Sequence, residues 1–320
     1  MKRVFVGGLT PEGTLFESEY HGIREALSER FEIVETIDEV SSHDFYLAID
    51  SNRRELKKVI RLGIPFSRRG AIAFEPAAVA PWQTEKFLEK NFKFYIRVGQ
   101  PNSRNGEFWP QKLNIINKTS SAREGIAMFG SNKLSFSPTE LYSLRRALAR
   151  SGQRISVFGS DWSLSIVQRL LRYSRALIFF WYHTGEFPTI GNFDYLKTNI
   201  DAEWTPDKDD AMRKFQYCLV LENSMNYSSE KLLDAIRVLT VPIYVGPNSC
   251  LPIEILDLCV LAQPNIRSIN EAIIKAELLD LSEWRQRVEL VLSSSELREK
   301  ISENSVMRRI EHNIFRWIDK

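Results

Sequence analysis

Short β-branched and aromatic runs alternate with segments of helical period along most of the chain, and this alternation limits the folds open to it. A strand that returns to its sheet through a helix pairs in parallel, and a parallel sheet needs helices on both faces, so the pattern predicts an α/β fold. In the first third, strands are expected at 3–6, 31–35, 45–49, 71–74 and 94–98, with helices near 17–30, 53–62 and 83–91. Turn formers crowd residues 99–112, where Pro101, Asn102, Ser103, Asn105, Gly106 and Pro110 mark a linker. A length of 320 residues suits about two domains, so the reading is a Rossmann-like unit at 1–112 and a second at 113–320, facing a cleft.

The second unit opens with a strand at 113–116 or 126–129. A helix at 138–150, a strand at 155–158, a helix at 164–172 and a strand at 177–181 follow. Beyond an aperiodic stretch at 184–210, a strand at 215–221, a helix at 229–239, strands at 242–245 and 259–261, and helices near 269–293 and 295–318 complete it. Forty-three Lys and Arg against 41 Asp and Glu give a net charge of +2, too small a field to point to nucleic acid. The apolar run after Met1-Lys2-Arg3 is too short for a secretion leader, and 176–182 is too short to span a bilayer. Three cysteines without metal-ligand spacing suit a reducing compartment, so a cytoplasmic protein is expected.

The chemistry concentrates at 215–248. An apolar run ends in Glu222-Asn223-Ser224, and after a polar loop Tyr227-Ser228-Ser229-Glu230-Lys231 opens a helix. A helix start beyond a strand's carboxyl end offers free N–H groups to an anion. Lys231 adds a charge for phosphate and Glu230 an acceptor for ribose hydroxyls, a pairing that suits a nucleotide. The plainer alternative is a capped helix, with Ser228 as N-cap and Leu232, Leu233 and Ala235 in the core. Glu222 and Glu230 are also spaced like the acids of many retaining two-domain glycosyltransferases.

This segment, with Val241-Pro242-Ile243-Tyr244-Val245-Gly246-Pro247 after it, resembles the α1,3-fucosyltransferase family of inverting glycosyltransferases. Lys208 stands where bacterial members carry a lysine. Ser131-Asn132-Lys133, Glu140-Leu141-Tyr142-Ser143-Leu144-Arg145-Arg146 and Phe158-Gly159-Ser160-Asp161-Trp162 look like the family's second block, and Phe74-Glu75-Pro76 like its acceptor-side segment. The resemblance is strong at 208–250, looser over the rest of 70–265, and absent from 1–69 beyond the Rossmann-like pattern. It departs from the family in a loop 224–227 about two residues short, in Ser228-Ser229, and in Leu239-Thr240.

The resemblance implies a GT-B architecture, a GDP-sugar donor, most simply GDP-fucose, and inverting transfer to a glycan hydroxyl. It implies Glu75 as general base and Arg145, or its neighbour Arg146, on the donor diphosphate. Lys231, Tyr227, Asn223, Glu230 and Lys208 complete the donor-binding set, with no cofactor and no metal. An inverting single displacement needs one carboxylate to take the acceptor proton. Asp207-Lys208-Asp209-Asp210 contains an Asp-x-Asp pattern, read more simply as a solvated turn or helix cap. His21, His43, His183 and His312 show no ligand spacing, and no Gly-x-Ser-x-Gly or phosphate-loop signature appears, so hydrolase and kinase readings lack support. Two basic amphipathic stretches, Arg169-Arg172-Arg175 and the last helix, bear on peripheral membrane association. The sequence favours packing of the last helix on the body of the protein. A protein of this fold that binds glycan or nucleotide without turnover is the non-enzymatic reading.

Overall fold

A computed structural model describes the chain except residues 9–16, 117–122, 152–154, 185–192, 199, 201, 204 and 206, with backbone alone at 17–20 and 183–184. The chain divides into two compact units, Met1–Pro110 with Glu303–Lys320, and Gln111–Ser302. In the first, β1 (Arg3–Gly8), α1 (Glu17–Ser28), β2 (Glu32–Val34), β3 (Phe45–Ile49), α2 (Arg53–Arg61), β4 (Arg69–Ala73), α3 (Glu85–Asn91), β5 (Phe94–Val98) and β6 (Gly106–Glu107) alternate as the periodicity requires. All strands pair in parallel in the order β2-β1-β3-β4-β5-β6. Every residue of β3 is buried, as a central parallel strand should be. Side-chain caps set helix starts: Asn52 accepts from the Arg54 and Glu55 amides before α2, and Thr84 from the Phe87 amide before α3.

The second unit holds β7 (Ile126–Phe129), α4 (Tyr142–Arg150), β8 (Ile155–Phe158), α5 (Ile166–Thr184), α6 (Asp194–Lys197), α7 (Lys208–Met212) and β9 (Tyr217–Leu221). Then come α8 (Lys231–Arg237), β10 (Val241–Val245), α9 (Ile253–Leu256), β11 (Val260–Leu261), α10 (Ile266–Glu277), α11 (Leu281–Ser293) and α12 (Ser295–Ile301). Its sheet is also parallel, in the order β11-β10-β9-β7-β8. The last helix, α13 (Glu303–Asp319), packs with the first unit, although the sequence reading places it in 113–320. There Trp317 stacks on Phe94 at 5.1 Å and Val306, Ile310, Ile314 and Ile318 are buried, the packing favoured for this helix.

One expected strand needs correction. The strand expected at 177–181 is the second half of α5. Its first half is anchored by Arg169, which donates to the Thr198 carbonyl, and by Tyr173, which stacks on Phe193 at 6.1 Å. Helical hydrogen bonding continues from there through the apolar run. Of the two positions offered for the opening strand, 126–129 is the strand. Within the aperiodic stretch 184–210, residues 185–192 lie outside the described residues.

Candidate functional site

In the second unit the strand order reverses between β7 and β9. Helix α4 carries the chain from β7 to β8 on one side, and α8 carries it from β9 to β10 on the other. Ligands of open parallel sheets bind beyond the strand ends at such a reversal. The residues there are Gly130–Lys133 after β7, Glu222–Ser224 after β9 and the first turn of α8.

Glu222 organises this end of the sheet. Its amide donates to the Val245 carbonyl at 3.1 Å, and its fully buried carboxylate accepts the Ser229 amide at 3.1 Å and the Ser229 hydroxyl at 2.7 Å. Because Ser229 is drawn back to the strand end in this way, α8 begins at Lys231 rather than 229. Ser228 is not the N-cap; its hydroxyl donates to the Cys250 carbonyl, and Glu230 occupies the cap position without a side-chain cap bond. Lys231 Nζ donates to Asn223 Oδ1 at 3.2 Å and Ser229 Oγ at 3.1 Å, and stands 3.7 Å from Glu222 Oε2. Lys208 Nζ pairs with Asp234 at 2.7 Å and lies 3.9 Å from Glu230 Oε1. Glu222, Lys231, Glu230, Lys208 and Asp234 thus form one cluster of alternating charges, which Asn223 joins by accepting from Lys231.

Burial sets the electrostatics of this cluster. It raises the Glu222 carboxyl above the ordinary range against the opposing pull of Lys231 and Ser229, and it lowers the Lys231 ammonium. Burial also presses on Glu230 and Lys208, but there the partners win. Lys231 and Lys208 hold the Glu230 carboxyl low, while Asp234 and Glu230 hold the Lys208 ammonium high. Glu230 therefore stays an anionic acceptor, and Lys231 is held against Glu222 and Glu230 at the cost of desolvation.

Arg145, on α4, is buried to 2% exposure and ties the two strand ends together. Its Nη1 donates to the Ser131 carbonyl at 3.1 Å and its Nη2 to the Leu221 carbonyl at 2.9 Å, with the guanidinium over the Tyr142 ring. A Cβ at Gly130 would lie 2.7 Å from Arg145 Nη1, so this approach requires glycine. Arg146 reaches the same loop at the Lys133 carbonyl, and also pairs with Asp194 at 2.7 Å and donates to the Ser143 hydroxyl. Arg145 is the one of the two that bonds the strand ends of both β7 and β9. Tyr227 is brought to the same loop, bridged to Ser224, but its side chain is buried.

Three features escaped the sequence reading. Thr139 and Ser224 hydroxyls meet at 2.8 Å and join the loop before α4 to the loop after β9. Asp234 anchors Lys208. In the first unit, Asp50 at the end of β3 accepts the Phe74 and Glu75 amides and Gln83 Nε2 on one oxygen, at 2.9, 2.9 and 2.8 Å. Glu75 sits just beyond β4, partly exposed, on a backbone that Asp50 holds. The family resemblance alone singles out Glu75, and it does not reach Asp50. As for Asp207-Lys208-Asp209-Asp210, Asp207 caps α7 by accepting the Asp210 amide, Asp209 pairs with Arg237 and Asp210 with Arg213. No group of three or more His, Cys, Asp or Glu arranged to hold a metal occurs among the described residues.

No protein-family model matches the chain, and no curated protein matches it. Solved structures do. An α1,3-fucosyltransferase matches with a TM-score of 0.53 at 13% identity, over 100% of this chain and 90% of that one, and the same kind of enzyme has been solved with GDP. Anabaena HepE, in complex with UDP and glucose, matches with a TM-score of 0.53 at 9% identity, over 99% of this chain and 100% of that one. At these identities the likeness establishes the fold, which is that of GT-B nucleotide-sugar glycosyltransferases.

Proposed function

We propose that the chain is an inverting glycosyltransferase that moves fucose or a related sugar from a GDP-sugar to a glycan hydroxyl. The observation that carries this reading is the cluster at the strand reversal. There Lys231, Asn223 and Ser229 gather around buried Glu222, and Glu230 is held anionic between Lys231 and Lys208. Lys231 would meet the leaving diphosphate, Glu230 the ribose hydroxyls, and Arg145 would brace the strand ends beneath them, with Asn223 orienting Lys231 and Lys208 orienting Glu230. Tyr227 shapes the loop from inside. In transfer, Glu75 takes the acceptor hydroxyl proton as the acceptor oxygen bonds to the anomeric carbon and the bond from that carbon to the diphosphate breaks. The charge that develops on the departing phosphate oxygen is met by the Lys231 ammonium.

A retaining role for Glu222 fits the geometry less well, because Ser229 occupies both carboxylate oxygens. The nucleotide is the second question, since HepE was solved with UDP and glucose at an equal TM-score. The anomeric configuration of the product tests the first, and thermal unfolding with saturating GDP, UDP, CMP and ADP tests the second. A ligand at 100 times its dissociation constant stabilises by about 2.7 kcal/mol, a shift of several degrees. The expected result is a shift with GDP that Lys231→Ala removes. A shift with UDP alone would replace the GDP reading, and no shift with any nucleotide would point to a protein without donor turnover.

A further inference from the structure

Helix α5 presents an apolar face to the outside. Val167, Leu170, Leu171, Ile178, Trp181 and Tyr182 follow one another at spacings of 3, 1, 7, 3 and 1, which places them on one side of the helix, each between 47% and 65% exposed. The opposite side, with Arg169 and Tyr173, is buried in the second unit. The helix has 19 residues, so it is about 28 Å long, and the exposed face runs most of that length. In α13, the other amphipathic stretch, the apolar side chains are covered. Contiguous exposed apolar surface on this scale marks an interaction site.

Charge identifies the occupant. Between Ile166 and Thr184 there are three arginines and no acidic residue. Arg169 is used internally, and Arg172 pairs with Asp161 at 2.6 Å. Arg175, four residues after Leu171 and three before Ile178, borders the apolar face and has no ion-pair partner among the described residues. A second copy of the chain would suit the spacing of Val167, Leu171, Ser174, Ile178 and Trp181, but not the charge. An antiparallel pairing centred on Ser174 sets the two Arg175 side chains beside each other with no acid on either helix. No described helix is long and apolar enough to cross a membrane.

We propose that the outward face of α5 docks on an anionic lipid surface, with its aliphatic side chains at the headgroup–acyl boundary and Arg175 among the phosphates. Trp181 and Tyr182, amphipathic rings at one end of the face, suit that boundary. The proposal stands independently of which nucleotide the second unit binds.

The test is co-sedimentation of the full chain with vesicles of phosphatidylcholine alone and of phosphatidylcholine and phosphatidylglycerol in equal parts. Binding to the anionic vesicles is expected, with little to the neutral ones. Leu171→Ser with Ile178→Ser should weaken it by at least about tenfold, because two buried aliphatic side chains are lost. Arg175→Glu should weaken it by about tenfold as well, because a favourable charge becomes an unfavourable one. All of these positions are exposed, so melting temperatures should stay within a few degrees of the parent. Absence of binding, equal binding to neutral vesicles, or variants that bind like the parent would overturn the proposal. So would a concentration-dependent dimer that Ile178→Ser abolishes, which would assign the face to a second copy.

Discussion

Replacing Asp50 by Asn should stabilise the first unit at alkaline pH, about half as much at pH 5, and leave it nearly unchanged at pH 3. The Asp50 carboxyl is buried, and the three hydrogen bonds it accepts offset only part of that burial, so it is pushed up to about 6 from 3.8. Between those values the folded chain holds a proton that the unfolded chain has released. Stability therefore falls as pH rises through this window and remains lower above it. The gap corresponds to about 3 kcal/mol. Asn presents the same Oδ1 to the Phe74 and Glu75 amides and to Gln83, tolerates the positive φ of 47° at this position, and never ionises. At pH 8 the variant should be the more stable by up to about 3 kcal/mol. Hydrogen exchange in the β3 and β4 amides, compared between the two proteins at the same pH, reads this as up to about a hundredfold slower exchange in the variant at pH 8 and about tenfold at pH 5. Equal protection at pH 8, or a variant less protected at both pH values, would refute the account of Asp50 as a carboxylate ionised against the cost of burial.

Glu222→Ala removes the acceptor for the Ser229 amide and hydroxyl and leaves Lys231 beside an emptied site, so a loss of about 3–5 kcal/mol in urea unfolding is expected. Glu222→Gln keeps one acceptor oxygen and should lose much less; if Gln instead abolished transfer with stability intact, Glu222 would be chemical rather than structural. Gly130→Ala forces Arg145 off the Ser131 and Leu221 carbonyls and should cost about 1–3 kcal/mol, visible as a lowered urea midpoint. Glu75→Gln should reduce turnover by about 10²–10⁴-fold with the nucleotide-induced thermal shift intact, and unchanged turnover would remove Glu75 from the mechanism.

What sequence alone makes legible here follows the range of the interactions. Glu222, Asn223 and Lys231 are readable because a strand end and a helix start bring them together within nine residues. The partners that fix their neighbours lie farther off: Asp234 is 26 residues beyond Lys208, and the Leu221 carbonyl that Arg145 holds is 76 residues away. No local pattern encodes those distances. The same limit explains residues 177–181, whose aliphatic and aromatic composition suits a strand. A short apolar run does not reveal its own period, and what makes it helical is the anchoring of the preceding turns on Thr198 and Phe193. Helices α5 and α13 are both amphipathic in sequence, and only packing reveals which of the two faces is covered.

The three strand-end acids carry this argument to the site itself. Asp50, Glu75 and Glu222 each follow a buried strand, so their place in the element order does not tell them apart, although the resemblance favours Glu75 as base. The structure separates them by what occupies their oxygens. Asp50 is committed to two backbone amides and Gln83, and Glu222 to the amide and hydroxyl of Ser229, so each acts as a buried brace for the backbone around it. Glu75 is braced through its backbone amide and the residue is only partly buried, although its Oε2 is shielded from solvent. A general base must reach a substrate proton from a fixed position. Among the three, Glu75 alone is not fully buried, and Asp50 fixes the backbone that carries it.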